Sequence, residues 1–106
     1  KHNRHNKDIM KTVFIAYDKA LHDLVVAALN SSLCKGFTVL PEVHGQGSVS
    51  GEPHMGSHAW PSTNSAVLTV CDGQKVRPLL DRLRKIDLDN PMLGLRAFVW
   101  AVEESI

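Results

Sequence analysis

No stretch of this 106-residue chain stays apolar long enough to cross a bilayer, which argues against membrane insertion. Cysteine is scarce. Cys34 and Cys71 show no C-x-x-C spacing and no accompanying signal sequence, which points to free thiols in a cytoplasmic protein rather than a disulfide. Both sit near the ends of expected elements, where structural burial competes with a redox or metal role. Catalytic signatures are missing too. Nothing marks a nucleophile elbow or sets a base beside a nucleophile, so the expectation is a protein that is not an enzyme. An excess of one charge is also absent: 12 Lys and Arg face 11 Asp and Glu, for a formal net charge of +1. Overall basicity therefore gives no support to a nucleic-acid partner.

What the chain does have begins with a polar opening, K-H-N-R-H-N-K-D, directly before a strand-like run. Residues 1–9 read as an affinity tag or cloning remnant, with a native metal-binding tail as the other reading. Residues 10–106 then form a single domain with Met10 as the native start. Leaving out Lys1, Arg4, Lys7 and Asp8 moves the formal net charge from +1 to −1. The remaining basic residues cluster at Arg77, Arg82, Arg84 and Lys85, the pattern of a solvated helix face.

The apolar spacing alternates between two periods. Residues 11–17, K-T-V-F-I-A-Y, read as a strand, followed by Asp18 as an N-cap. Leu21, Leu24, Val25, Ala28, Leu29 and Leu33 then recur at helical spacing over residues 19–33, with Gly36 as the stop. Residues 37–44 form a second strand, and Pro41 predicts that it lies at an edge or carries a bulge. Residues 65–71 are a third strand. Val76, Leu79, Leu80, Leu83 and Ile86 mark a second helix, with Pro78 tolerable only in its first turn. Residues 87–91 read as a turn, and residues 95–102 as the last strand.

The order β-α-β-β-α-β is that of an α+β, ferredoxin-like sandwich, with two helices on one face of a four-stranded antiparallel sheet. Yet the strands are apolar on both faces. Val13 and Ile15 oppose Phe14 and Ala16; Ala97 and Val99 oppose Phe98 and Trp100. Two helices cover one face only, so the other needs a partner, most economically further copies of the same chain. Trp100 is expected in the core or at that contact, and His22 is expected to face solvent.

One stretch follows neither period. Residues 43–64 carry three of the six histidines, four of the seven glycines and two of the five prolines, more irregular chain than so small a domain usually holds. His54 and His58, with His44 and Glu42 at the strand end, form the best metal constellation; imidazoles suit divalent or copper ions, and Met55 suits a softer one. Polar loop histidines and a pH sensor are the readings beside it. The run Gly45, Gln46, Gly47, Ser48, Val49, Ser50, Gly51 could hold an anion on backbone amides or simply supply turns. It is neither a Walker loop nor a Rossmann fingerprint. Trp60, beside Pro61, is a candidate anchor for a partner protein.

Two fragments carry a family resemblance. G-F-T-V-L-P-E-V-H-G-Q-G-S-V-S-G, residues 36–51, resembles the second strand and T-loop base of the PII signal-transduction family. G-L-R-A-F-V-W-A-V-E-E, residues 94–104, is similar to the last strand of that family, with Arg96 near its basic position. The resemblance covers essentially residues 10–106 and makes residues 45–64 a T-loop-like segment. It implies a homotrimer, and clefts between subunits that bind an adenine nucleotide, here at Gly45, Gln46, Gly47, Ser48, Gly51 and Arg96. It also implies a loop that controls a partner protein such as a membrane transporter. The loop base here has no basic residue, and the chain looks more like divergent PII-like proteins, some associated with heavy-metal efflux. The similarly built CutA-type trimers suggest the alternative, a metal-tolerance trimer with loop histidines as ligands.

Overall fold

A computed structural model describes residues 9–44 and 63–106. The chain runs β1 (Met10–Asp18), a 3-10 turn (Lys19–Leu21), α1 (His22–Ser31), β2 (Phe37–Val43), β3 (Asn64–Asp72), a second 3-10 turn (Gly73–Lys75), α2 (Val76–Asp89) and β4 (Leu95–Ala101). The strands form one antiparallel sheet in the order β2-β3-β1-β4. This is the split βαβ arrangement expected from the element order.

Register sorts every side chain of the central strands onto one of two faces. Val13, Ile15 and Tyr17 of β1 lie opposite Thr69, Val67 and Ser65 of β3, and opposite Val99, Ala97 and Leu95 of β4. That face packs with Leu21, Val25 and Leu29 from the first helical segment and Leu79, Leu83 and Ile86 from α2 into one core. On the other face Thr12 lies between Val70 and Trp100, Phe14 between Leu68 and Phe98, and Ala16 between Ala66 and Arg96. Here Val70, Phe98 and Trp100 remain 50%, 56% and 50% exposed. Trp100 is therefore outside the core of the single chain. The two-faced apolar pattern is real, and the described residues cover one side of it.

β2 is an edge strand, paired with β3 only, and its register shifts between Leu40 and Val43, around Pro41. A proline has no N–H for the ladder, so it belongs at such a place. The Asp18 carboxylate accepts from the Ala20 backbone N–H at 2.9 Å and starts the first helical segment, as its N-cap position predicts.

Three helix boundaries differ from the periodic reading. The segment after Asp18 opens as a 3-10 turn, and α1 ends at Ser31 rather than reaching Leu33. The stop is not Gly36: Leu33 itself adopts φ 62°, its N–H donating to Asn30 O at 3.1 Å, while the Cys34 N–H donates to Leu29 O at 2.8 Å. These are the two bonds of a Schellman motif, with leucine where glycine is usual. Leu33 and Leu24, expected at core positions, are 60% and 47% exposed. At the other end α2 continues to Asp89, because Lys85 pairs with Asp89 at 3.1 Å and the Asn90 side-chain amide closes the helix on Ile86 O at 2.9 Å. Residues 87–89 are thus helix, and the turn is shorter than expected.

Candidate functional site

The end of the sheet where β1 finishes gathers three connections. The Asp18 N–H donates to Gly94 O at 2.9 Å and the Lys19 N–H to Thr63 O at 2.8 Å. The Ser65 hydroxyl donates to Pro41 O at 2.8 Å, holding the end of β2 against the start of β3. Both points where residues 45–62 join the sheet therefore lie at the same end as the turn that leads into β4. These bonds use backbone groups left over at strand ends, which must find partners when they leave water.

Beside that end lies a cavity of about 360 Å³ lined by Asp87, Leu88, Pro91, Leu93, Gly94 and Arg96. A smaller one of about 180 Å³, between α2 and β4, shares Asp87 and Arg96 and adds Leu80, Leu83, Arg84, Leu95 and Ala97. Arg96 is the common cation. It stands in the edge strand β4, with its neighbour across the sheet the small Ala16, and its guanidinium donates to Leu95 O at 3.1 Å. An exposed guanidinium beside an open, partly apolar recess suits an anionic group joined to a flat apolar one.

The expected site residues divide by place. Arg96 lines both cavities. Glu42 is exposed in β2, and His44 is exposed just past its end. Gly45, Gln46, Gly47, Ser48, Gly51, His54, His58 and Trp60 lie outside the described residues, as do residues 1–8 of the expected tag. Among the described residues no three His, Cys, Asp or Glu side chains gather as a metal site. Nor, among them, is any helix long and apolar enough to cross a membrane.

Several participants are not evident from the sequence. Asp87, Leu88 and Pro91 belong to a stretch that reads as a plain turn, and Leu93 follows it; the signal is Asn90-Pro91 followed by Gly94 just ahead of the basic Arg96. His22 is half-buried rather than facing solvent. The Tyr17 hydroxyl and His22 Nδ1 share a hydrogen bond of 2.7 Å, and the two rings stack with centroids 5.9 Å apart. Burial raises the Tyr17 phenol above its ordinary pKa of 10. The basic residues of α2 form the solvated face expected: Asp81 pairs with Arg84 at 3.2 Å and Arg77 at 3.9 Å, exposed contacts of small energetic weight.

No family model matches the chain, and no curated protein matches it by sequence. Solved structures match by shape. A protein of Thermus thermophilus assigned as a PII-like signaling protein is 22% identical, with 90% of this chain covering 88% of that one at a TM-score of 0.65. CPII from Thiomonas intermedia, bound to ADP, AMP and acetate, is 15% identical, covers 92% and 91% of the two chains, and gives a TM-score of 0.65. The same protein bound to ADP and bicarbonate is 18% identical, with coverages of 90% and 89% and a TM-score of 0.62. At these identities the shared property is the path of the backbone, and it extends over nearly the whole of each chain: this chain has the fold of the PII-like signalling proteins.

Proposed function

We propose that this chain is a non-catalytic PII-like regulator that binds an adenine nucleotide at the Asp87–Arg96 recess and reports occupancy through residues 45–62. The observation carrying this reading is the placement of Arg96. It lies on the lip of the cavity, at the sheet end where both ends of residues 45–62 emerge. A phosphate on Arg96 would be one charge-assisted contact away from the base of that segment, and the adenine would have Leu88, Pro91 and Leu93 to rest on. The ADP and AMP held by the similarly folded CPII support the choice of ligand.

The recess is open, and a single subunit offers one wall of it. The uncovered sheet face supplies the reason for further copies: Phe98, Trp100 and Val70 would leave water in a homotrimer, and neighbouring subunits would close the recess. Ligand binding then biases residues 45–62 between two arrangements, one of which engages a partner protein. Affinity capture from the source cell, with a membrane transporter as the expected partner, identifies what that arrangement engages.

The test is calorimetric titration of the full chain with ADP and AMP. Binding should weaken by at least about tenfold in Arg96→Ala, the loss expected for one charge-assisted phosphate contact. A wild-type chain that takes up neither nucleotide, or an Arg96→Ala chain that binds as tightly, overturns the reading.

A further inference from the structure

At the opposite end of the sheet, away from the recess, the two cysteines of the chain come together. Cys34 follows the turn that ends α1, and Cys71 lies near the end of β3. The β2–β3 register pairs Phe37 with Thr69, and the Thr69 hydroxyl donates to Gly36 O at 2.8 Å, so the connection through residues 32–36 runs alongside the last residues of β3. The Lys75 ammonium fastens the same connection by donating to Leu33 O at 3.2 Å. Both thiols are free, 2% and 5% exposed, and members of one core cluster. The Cys34 thiol donates to Ser32 O at 3.7 Å, and burial, with the Cys34 thiol nearby, pushes Cys71 up to about 12.

We propose that Cys34 and Cys71 are a dithiol site that closes to a disulfide and staples the edge strand β2 to β3. Two observations make this a site rather than a coincidence of packing. The pair brackets the hairpin: Cys34 precedes β2 and Cys71 is near the end of β3, so one bond would close the long loop that contains residues 45–62. And β2 needs the support, since it is held by β3 alone and its ladder is broken around Pro41.

The chemistry of the pocket separates the two oxidation states. A thiolate at Cys71 is costly in this apolar setting, so Cys71 rests as a thiol at neutral pH. A disulfide is neutral and apolar, and suits the same space. Access requires the 32–36 connection to open. Leu33 there already carries a left-handed backbone that a non-glycine residue adopts at a cost. With a low-molecular-weight disulfide as oxidant, Cys34 loses its proton and attacks one sulfur, releasing one small thiol and leaving a mixed disulfide. Cys71 then loses its proton and attacks Cys34 Sγ, releasing the second small thiol. Two protein thiols are oxidised, one small disulfide is reduced to two thiols, and the protons end on those thiols.

The test places the full chain in reduced and oxidised glutathione, native and in urea, and quantifies the linked state by alkylation and peptide mass mapping. The expected product is an intramolecular Cys34–Cys71 link, lighter by two hydrogens. It should form at a ratio of oxidant to reductant squared at least about tenfold lower in the native protein than in urea. By linkage, a fold that favours the bond is a fold the bond stabilises. Cys34→Ser and Cys71→Ser should give only mixed disulfides, but the native-against-urea comparison on the wild type stands without either variant. A native protein that needs an equally or more oxidising buffer than the unfolded chain overturns the proposal, as does linkage found only between chains.

Discussion

Odd-numbered and even-numbered residues of β1 meet the same two neighbouring strands, yet their surroundings have little in common. Ile15, between Val67 and Ala97, is sealed under the helices with no exposure. One residue earlier, Phe14 lies between Leu68 and the half-open Phe98, with Trp100 and Val70 in the next row. Both faces are apolar, so composition does not distinguish them; what differs is whether this chain supplies the cover. A face that is closed from within accounts for the fold, and a face left open by the same chain points outward to assembly. The contrast assigns different consequences to substitutions a single residue apart.

The largest effect belongs to the sealed face. Ile15→Ala removes three methyl or methylene groups from a site that has little room to collapse, and should lower unfolding stability by about 2–5 kcal/mol in urea titration. On the open face, Trp100→Ala should act through assembly. Truncating an aromatic anchor costs about 2 kcal/mol or more at an interface, a roughly thirtyfold weaker self-association by analytical ultracentrifugation. A wild-type chain sedimenting as a single folded subunit at micromolar concentration would break the comparison, because the open face would then need no cover.

This contrast is legible in the order of residues alone, because strand period places alternate side chains on opposite faces without further information. The element order, the cap at Asp18 and the irregular Pro41 are legible for the same reason: each depends on local backbone chemistry. What escapes a linear reading depends on contacts distant in sequence. Tyr17 and His22 belong to different elements until the turn after Asp18 brings their rings together. Cys34 and Cys71 look unrelated along the chain, since nothing in their spacing reveals that the α1–β2 connection runs beside the end of β3. The recess is half-visible: Arg96 stands out as a cation, but its apolar companions depend on α2 extending to Asp89. Of the residues expected to hold a nucleotide, Arg96 alone lies among those described.

The sealed face also sets a limit in pH. Cys71 faces the helices, and burial there raises its thiol from an ordinary value near 9 to about 12. A group whose pKa is higher folded than unfolded favours the folded state as long as it stays protonated. Its contribution is therefore fully present below pH 9 and is lost as pH rises from there through about 12. The urea midpoint of the wild type should fall across that window more steeply than that of Cys71→Ala. At neutral pH this titration contributes no slope, and parallel profiles above pH 9 would show that the thiol is less sealed than the geometry indicates.

The smallest effect tests whether every exposed apolar residue carries the meaning given to Phe98 and Trp100. Leu33 is 60% exposed but stands apart from the open sheet face, and its φ of 62° places it in a region that glycine occupies freely. Left-handed backbone costs a side-chain-bearing residue roughly 1–2 kcal/mol, and glycine gives part of that back through greater freedom in the unfolded chain. Leu33→Gly should accordingly stabilise the subunit by about 0.5–1 kcal/mol and leave self-association unchanged. Here the leucine is a conformational misfit at a helix end rather than a surface waiting for a partner. If Leu33→Gly weakens assembly instead, the helix side of the molecule also holds a contact, and the division between a closed face and an open one is too simple.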